Sequence, residues 1–252
     1  IRHGEASLLP VDSEHAALAQ LLKAVDASEL DKLVLTASGG PFLDADLEFM
    51  AEAGPKEALA HPTWSMGAKI SVDSATMVNK AFEVIEACWL FGLDEDRIVV
   101  LVHPESRVHA ALKLVDGSWL AQMGPADMRI PIAQAMAHPQ LLDLPSRLSD
   151  AGRLDLVELG TLSFQAFDEV RFPALRLGRQ AIAAGCGRPA ALCVADEVLV
   201  QAFLAERIPF GAIAAGLDLV MQRFDERSIG DLEDVLAAGR DGERLAEGWL
   251  QG

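Results

Sequence analysis

The chain has 252 residues, of which 51% are hydrophobic and 23% charged, and its formal net charge is −17. That length suffices for two domains or one large one with a real core, while so acidic a balance repels phosphate backbones and argues against a nucleic-acid partner. Three scattered cysteines (Cys88, Cys186 and Cys193) form neither a disulfide framework nor a CxxC pair, which points to a reducing cytoplasm.

No apolar run reaches the ~18 residues of a membrane span, so no membrane partner is expected. The N-terminus, Ile-Arg-His-Gly, has neither an initiator Met nor a signal-peptide pattern. It reads as though the sequence began inside a larger protein.

Leu8–Val11 is a short apolar run leading into Asp12-Ser13-Glu14, and Ala16–Val25 has helical spacing. In an extended segment Asp12 and Glu14 would point the same way, and two carboxylates aimed at one spot repel unless a cation lies between them. The competing reading is a helix N-cap at Asp12 or Ser13, with Glu14 favouring the helix dipole. Leu33–Thr36 reads as a strand ending in Ser38-Gly39-Gly40-Pro41. That loop is either an anion-holding nest of backbone N–H groups with the Ser38 hydroxyl, or a plain turn.

His61–Lys69 places Trp64 and Met66 between Pro62 and Gly67 with no period. Bulky apolar residues between such hinges suggest a lid, or else a loop folded onto the core. Asp73–Ala87 follows, with an apolar helical stripe of Met77, Ala81, Ile85, Cys88 and Trp89 opposite Asn79, Glu83 and Glu86. A helix N-terminus bearing Ser74, Asn79 and Lys80 suits a phosphate, since the N–H dipoles and the ammonium act together. Glu83, one turn deeper, would add a third hard oxygen ligand to Asp12 and Glu14. The plain alternative is a solvated polar face.

Ile98–Val102 is a β-branched buried strand, and Val108–Val115 and Ser118–Met123 flank Asp116-Gly117, a two-residue hairpin signal. His103 and His109 lack a zinc spacing and read as satisfied core histidines. Arg129–Ala137 is a helix ended by His138-Pro139, and Gln140–Asp155 is a connecting stretch. The Ala- and Leu-rich remainder predicts helices over 173–184, 189–206, 209–224 and 231–249, a compact bundle. Within it Gly185–Ala190 matches G-x-G-x-x-A, but it follows a helical run rather than a strand, so it is no dinucleotide site.

Together, "LPVDSEH", "LTASGGPF", "HPTWSMGAKISVDSATMVNKAFEVIEA", "VHPESRVHA", "DGSWLAQMG" and "PADMRIPIAQAMAHP" resemble, in order and interval, the 1-deoxy-D-xylulose 5-phosphate reductoisomerase family. The match covers residues 8–139 and continues more weakly through the helical part. The resemblance implies an α/β (α+β) catalytic domain with a mixed sheet over residues 1–139, a connecting segment over 140–163, and a C-terminal α-helical bundle over 164–252. The family's N-terminal NADPH-binding domain would be absent from this chain.

Position by position, the resemblance makes Asp12, Glu14 and Glu83 ligands of a divalent metal, Mg2+ or Mn2+. It makes Ser13, Glu14, Ser38, His61, Ser74, Asn79, Lys80 and Glu83 contacts to a small sugar-phosphate substrate. Asp12, Glu14, His61, Lys80 and Glu83 would be catalytic. Trp64 and Met66 fall in the lid, Gly67 where the lid backbone meets NADPH, and His109 and Met128 line the site. The implied activity is the metal- and NADPH-dependent rearrangement and reduction of 1-deoxy-D-xylulose 5-phosphate to 2-C-methyl-D-erythritol 4-phosphate in non-mevalonate isoprenoid biosynthesis. The implied assembly is a cytoplasmic homodimer.

"LCVADEVLVQAF" (Leu192–Phe203) departs from the family's more polar Asn-Ala-Ala-Asn-Glu version at Cys193 and Val194. Two other readings are a paralogous sugar-phosphate oxidoreductase of the same fold and a non-catalytic binding module that kept the pocket.

Overall fold

A computed structural model describes residues 7–142 and 154–252. The expected connecting stretch lies partly outside the described residues, since it includes 143–153. In chain order the elements begin with α1 (Ser13–Leu21), β1 (Leu30–Ala37), α2 (Leu47–Glu52), α3 (Pro55–Ala58), α4 (Ala68–Thr76) and α5 (Val78–Phe91). There follow β2 (Ile98–Val102), β3 (Val108–Leu114), β4 (Trp119–Met123), α6 (Arg129–Ala137), α7 (Leu156–Leu159) and β5 (Gln165–Ala166). The chain closes with α8 (Ala174–Ala184), α9 (Arg188–Leu204), α10 (Phe210–Arg223) and α11 (Leu232–Leu250).

These elements gather into two compact units that interleave along the sequence. One is built from Ile1–Ser38 and Asp96–Ala166, the other from Gly39–Glu95 and Phe167–Gly252. Residues 1–139 therefore contribute to both, and α4 and α5 belong with the C-terminal helices.

The first unit is a mixed sheet in the order β4-β3-β1-β2-β5. Only β1 and β2 run parallel, with Leu33 opposite Ile98 and Ala37 opposite Val102; the other three pairs are antiparallel. Leu33, Val34 and Leu35 in β1 are all essentially inaccessible, as a central strand covered on both faces requires. Each such side chain contributes roughly 1.5–3 kcal/mol relative to exposure. Inside this layer the Thr36 hydroxyl donates to the carbonyls of Val108 (2.7 Å) and His109 (2.9 Å).

The β3–β4 hairpin turns through three residues, not two. Leu114 N–H bonds to the Ser118 carbonyl, Gly117 N–H returns to the Leu114 carbonyl, and Gly117 sits at φ 88°. That is a type I turn followed by a left-handed glycine. Asp116 stabilises it by accepting from the Ser118 amide at 2.8 Å.

The second unit is wholly helical. Its central α9 packs on α8, α10 and α11, and also on α4 and α5. Phe42 anchors the core, its ring 4.6 Å from Phe210, which in turn lies 5.8 Å from Phe203. Two glycines set the closest helix approaches. A Cβ at Gly178 in α8 would lie 2.7 Å from the Ala81 Cβ of α5, and one at Gly242 in α11 would lie 2.3 Å from the Ala191 carbonyl of α9. The rejected glycine motif is the α8–α9 corner, with Gly185 ending one helix and Gly187 beginning the next.

Candidate functional site

In the first unit, residues 12–14 are not an extended segment. Asp12 is the N-cap of α1 (φ −57°, ψ 139°), and its Oδ1 accepts the Ser13 amide at 2.9 Å. Ser13 and Glu14 are already helical, so the alternation argument for pointing Asp12 and Glu14 together does not apply. The helix start itself gathers the acids here, because both favour its positive end. The Ser13 hydroxyl donates to Glu14 Oε2.

The Asp12 Oδ2 lies 3.1 Å from Nδ1 of His15, a fully buried residue that the motif reading passed over. Its i, i+3 spacing from the cap was the available signal. All three acidic and hydroxyl side chains are only partly covered, and the donor set is hard oxygen, which fits a divalent ion such as Mg2+ or Mn2+.

Elsewhere in this unit, His109 on β3 is buried and, with Ser13, Gln122 and Asp127, lines a small cavity. Gly124 lies against its ring, where a Cβ would make ordinary contact, 3.5 Å from His109 Nε2. Met128 is the half-buried N-cap of α6, and Ser38 is half-buried at the end of β1. His103 is a satisfied core histidine. Its Nδ1 meets the Ser163 carbonyl at 2.8 Å, Nε2 accepts the Arg107 amide at 3.1 Å, and the ring stacks on Phe164.

In the second unit, Asp73–Ala87 is not one helix start. Helix α4 runs to Thr76, Met77 takes a left-handed conformation (φ 61°, ψ 14°), and α5 begins at Val78. Ser74 therefore sits in the last turn of α4, whereas Asn79 and Lys80 lie in the first turn of α5. The expected single N-terminus is a junction of two helices. The φ of Met77 lies where few non-glycine residues go, and it allows the turn without breaking either helix's own hydrogen bonds. Gly40 (φ 63°) fits against this junction, with its missing Cβ only 3.0 Å from the Ser74 carbonyl.

The polar face is buried at its Lys80 and Glu83 end, half-buried at Asn79 and exposed at Glu86. Lys80 is 4% exposed and Glu83 3%, with Lys80 Nζ 2.5 Å from Glu83 Oε2 and Asn79 Nδ2 donating 2.6 Å to Glu83 Oε1. Ionic groups withdrawn from water at such cost mark a site more often than a scaffold. The apolar stripe holds through Met77, Ala81 and Ile85, but Trp89 is 75% exposed and lies outside it.

The loop before α4 carries the remaining residues. His61 Nδ1 accepts the amides of Thr63 (3.1 Å) and Trp64 (2.9 Å), so the neutral ring's hydrogen is on Nε2. Partial burial lowers the pKa of His61, and the imidazole is therefore neutral at physiological pH. Trp64 and Met66 are half-buried, and Gly67 is the exposed N-cap of α4, with open space where a side chain would be. Sequence reasoning missed the ion cluster of Lys69, Asp73 and Asp196 on α4 and α9. Lys69 Nζ lies 2.6 Å from Asp73 Oδ2 and 2.5 Å from Asp196 Oδ2.

Two family models match the chain. Residues 8–91 match the 1-deoxy-D-xylulose 5-phosphate reductoisomerase C-terminal domain, and residues 123–244 the DXP reductoisomerase C-terminal domain. The 1-deoxy-D-xylulose 5-phosphate reductoisomerase of Gluconobacter oxydans (strain 621H) is 52% identical over 243 residues, covering 96% of this chain and 58% of that protein. Its counterpart from Rhodospirillum centenum is 50% identical over 245 residues, covering 97% and 60%.

Among solved structures, the Zymomonas mobilis reductoisomerase in complex with NADPH superposes with a TM-score of 0.89 at 38% identity, over 100% of this chain and 63% of that one. A DOX-P reductoisomerase in complex with NADPH, fosmidomycin and magnesium gives 0.90 at 42% identity, over 99% and 64%. The chain thus spans about three-fifths of the length of the relatives it matches.

Proposed function

The chain belongs to the 1-deoxy-D-xylulose 5-phosphate reductoisomerase family, and from that premise we propose that it supplies the metal- and substrate-binding parts of an enzyme converting 1-deoxy-D-xylulose 5-phosphate to 2-C-methyl-D-erythritol 4-phosphate. The observation that carries the reading is the buried Asn79–Lys80–Glu83 cluster beside Ser74. An ammonium and a carboxylate are held out of water beside a half-buried amide at a helix junction, in a chain about half identical to such enzymes.

In this reading Lys80, Asn79, Ser74, Ser13, Ser38 and His61 bind the substrate. Lys80 and the Nε2 hydrogen of His61 are donors to its phosphate end. Asp12, Glu14 and Glu83 are the carboxylates for a divalent ion, which when bound supplies Lewis-acid stabilisation of charge developing on substrate oxygens. Trp64 and Met66 cover the reacting end and exclude water, while the Gly67 backbone approaches NADPH. His109 and Met128 line the site.

Anchoring a remote phosphate lets its binding free energy orient the reacting carbons. In this reading residues 1–139 bind metal and substrate, 140–163 connect, and 164–252 supply helical support, in which α4 and α5 from the first stretch also take part. A cytoplasmic homodimer completes the proposal. Among the described residues no helix is long and apolar enough to cross a membrane.

Calorimetric titration with Mn2+ and a phosphonate substrate mimic tests the assignment. Glu83→Gln should weaken Mn2+ binding at least tenfold and Lys80→Ala should weaken the phosphonate. Unchanged affinity in Glu83→Gln removes Glu83 as a ligand, and unchanged affinity in Lys80→Ala removes the helix junction as the phosphate site.

A further inference from the structure

Away from the proposed ligands, three ionisable side chains meet inside the helical unit. Lys69 and Asp73 come from α4, and Asp196 comes from α9, 127 residues later in the chain. The Asp196 side chain is fully buried, that of Asp73 is 7% exposed and that of Lys69 is 29% exposed. One oxygen of each carboxylate, Asp73 Oδ1 and Asp196 Oδ1, is buried with no hydrogen-bond partner. One cation against two anions leaves a net negative charge out of water, and two unpartnered acceptors add a desolvation cost. A single hydrogen on the carboxyl pair relieves both penalties, because it neutralises the trio and places a donor among the unpartnered oxygens.

We propose that Asp73 and Asp196 hold one proton between them and, with Lys69, form a proton-dependent clasp that fixes α4 to α9 and thereby positions Ser74, the residue after Asp73. The role of Ser74 as a substrate contact rests on the function proposed above; the shared proton does not. Asp73 is the protonated partner. Burial first, and then the negative charge of Asp196, raise its pKa to about 8, and both carboxylates sit on the one Lys69 ammonium, at 2.6 and 2.5 Å. Burial also raises the pKa of Asp196, which accepts from Lys69. Burial works against the Lys69 ammonium, but the two carboxylates outweigh it and raise its pKa, so it stays charged.

The surroundings add little that would replace the proton. From α9, Glu197 and Cys193 border Asp196. From α5 comes the Phe82 ring, its centroid 6.0 Å from Lys69 Nζ. On α3, Lys56 is exposed and Glu57 turns back to the Gly54 amide. Asp73 and Asp196 are positioning residues, acting on substrate only through the placement of Ser74.

The sign of the pH dependence follows from linkage. The folded chain keeps a proton that an unfolded aspartate releases above its ordinary pKa of 3.8. The clasp's contribution is thus complete below that value and is lost as pH rises toward about 8. Asp196→Asn substitutes a permanent amide donor for the shared proton and abolishes that loss.

The test compares wild type with Asp196→Asn by infrared spectroscopy and denaturant unfolding across the neutral range. Wild type should show a protonated-carboxyl stretch near pH 6 that vanishes in alkali and is missing from the variant. Its unfolding constant should rise relative to that of the variant by up to tenfold per pH unit. Parallel stability curves, or no acid stretch in wild type, overturn the shared proton. If Asp196→Asn does not fold, the wild-type infrared titration alone decides, with Asp73→Asn as the second variant. Phosphonate affinity is then measured on both proteins. Wild type should lose affinity above about pH 8 while Asp196→Asn keeps it; a clasp that titrates with no change in affinity overturns the positioning of Ser74.

Discussion

Gly242→Ala isolates the contact on which the helical unit depends most closely. The glycine lies in the interior of α11, where alanine normally gains about 1 kcal/mol in helix propensity. Here the added methyl would stand 2.3 Å from the Ala191 carbonyl oxygen, 2.7 Å from its Cα and 2.9 Å from its carbonyl carbon. All three are backbone atoms of α9, so no side chain can swing aside and the helices must separate. Overpacking of a core costs roughly 1–3 kcal/mol, and a backbone-on-backbone overlap belongs at or above the upper end.

The net expectation is a loss of about 2 kcal/mol, or ~4–8 °C in Tm for a chain of this size. Gly248→Ala is the internal control. It sits in the same helix, but with nothing within 4 Å of its missing methyl, so it should gain about 0.5 kcal/mol from propensity alone. Scanning calorimetry of the two variants gives opposite shifts. A Gly242→Ala chain as stable as wild type would refute the claim that α9 and α11 touch through their backbones.

Three further outcomes follow from the same geometry. Glu83→Ala strands the Lys80 ammonium, which is 4% exposed, and should cost about 3 kcal/mol in urea unfolding, with Lys80→Met on the same background recovering part of the loss. Thr36→Val deletes a hydroxyl that donates to two strand carbonyls and should cost about 1 kcal/mol, read as an earlier urea midpoint with unchanged slope. In NMR titration His61 should protonate below the ordinary histidine value of 6.5, since burial disfavours the cation. Because the unfolded chain binds that proton more readily, this residue lowers stability as pH falls through the same window, and the Thr63 and Trp64 amides should shift with it.

Much of the architecture was legible because local signals agreed with it. Ile98–Val102 and Arg129–Ala137 are found where periodicity placed them, and the four C-terminal helices lie within a residue or two of their expected limits. The failures are places where long-range packing decides. Nothing in "SATMVN" announces that Met77 goes left-handed; the junction it makes is matched by Gly40, which lies 37 residues earlier. The acidic pair at Asp12 and Glu14 was readable as a pair, but its geometry comes from helix capping rather than from strand alternation. The Lys69–Asp73–Asp196 cluster joins parts of the sequence 127 residues apart, and its members carry no motif of their own.

The interleaving of the two units bears on how this chain can be divided. Helices α4 and α5, which bear Ser74, Asn79, Lys80 and Glu83, lie between β1 and β2 in the sequence yet complete the packing of α8 and α9. A cut at residue 139 would therefore separate the residues proposed to bind phosphate from the helices packed against α4 and α5. It would lay Val78, Ala81 and Ile85, now buried, open to water. During synthesis the same arrangement means that the residues bearing the proposed chemistry emerge early but gain their cover only when the last third of the chain has followed.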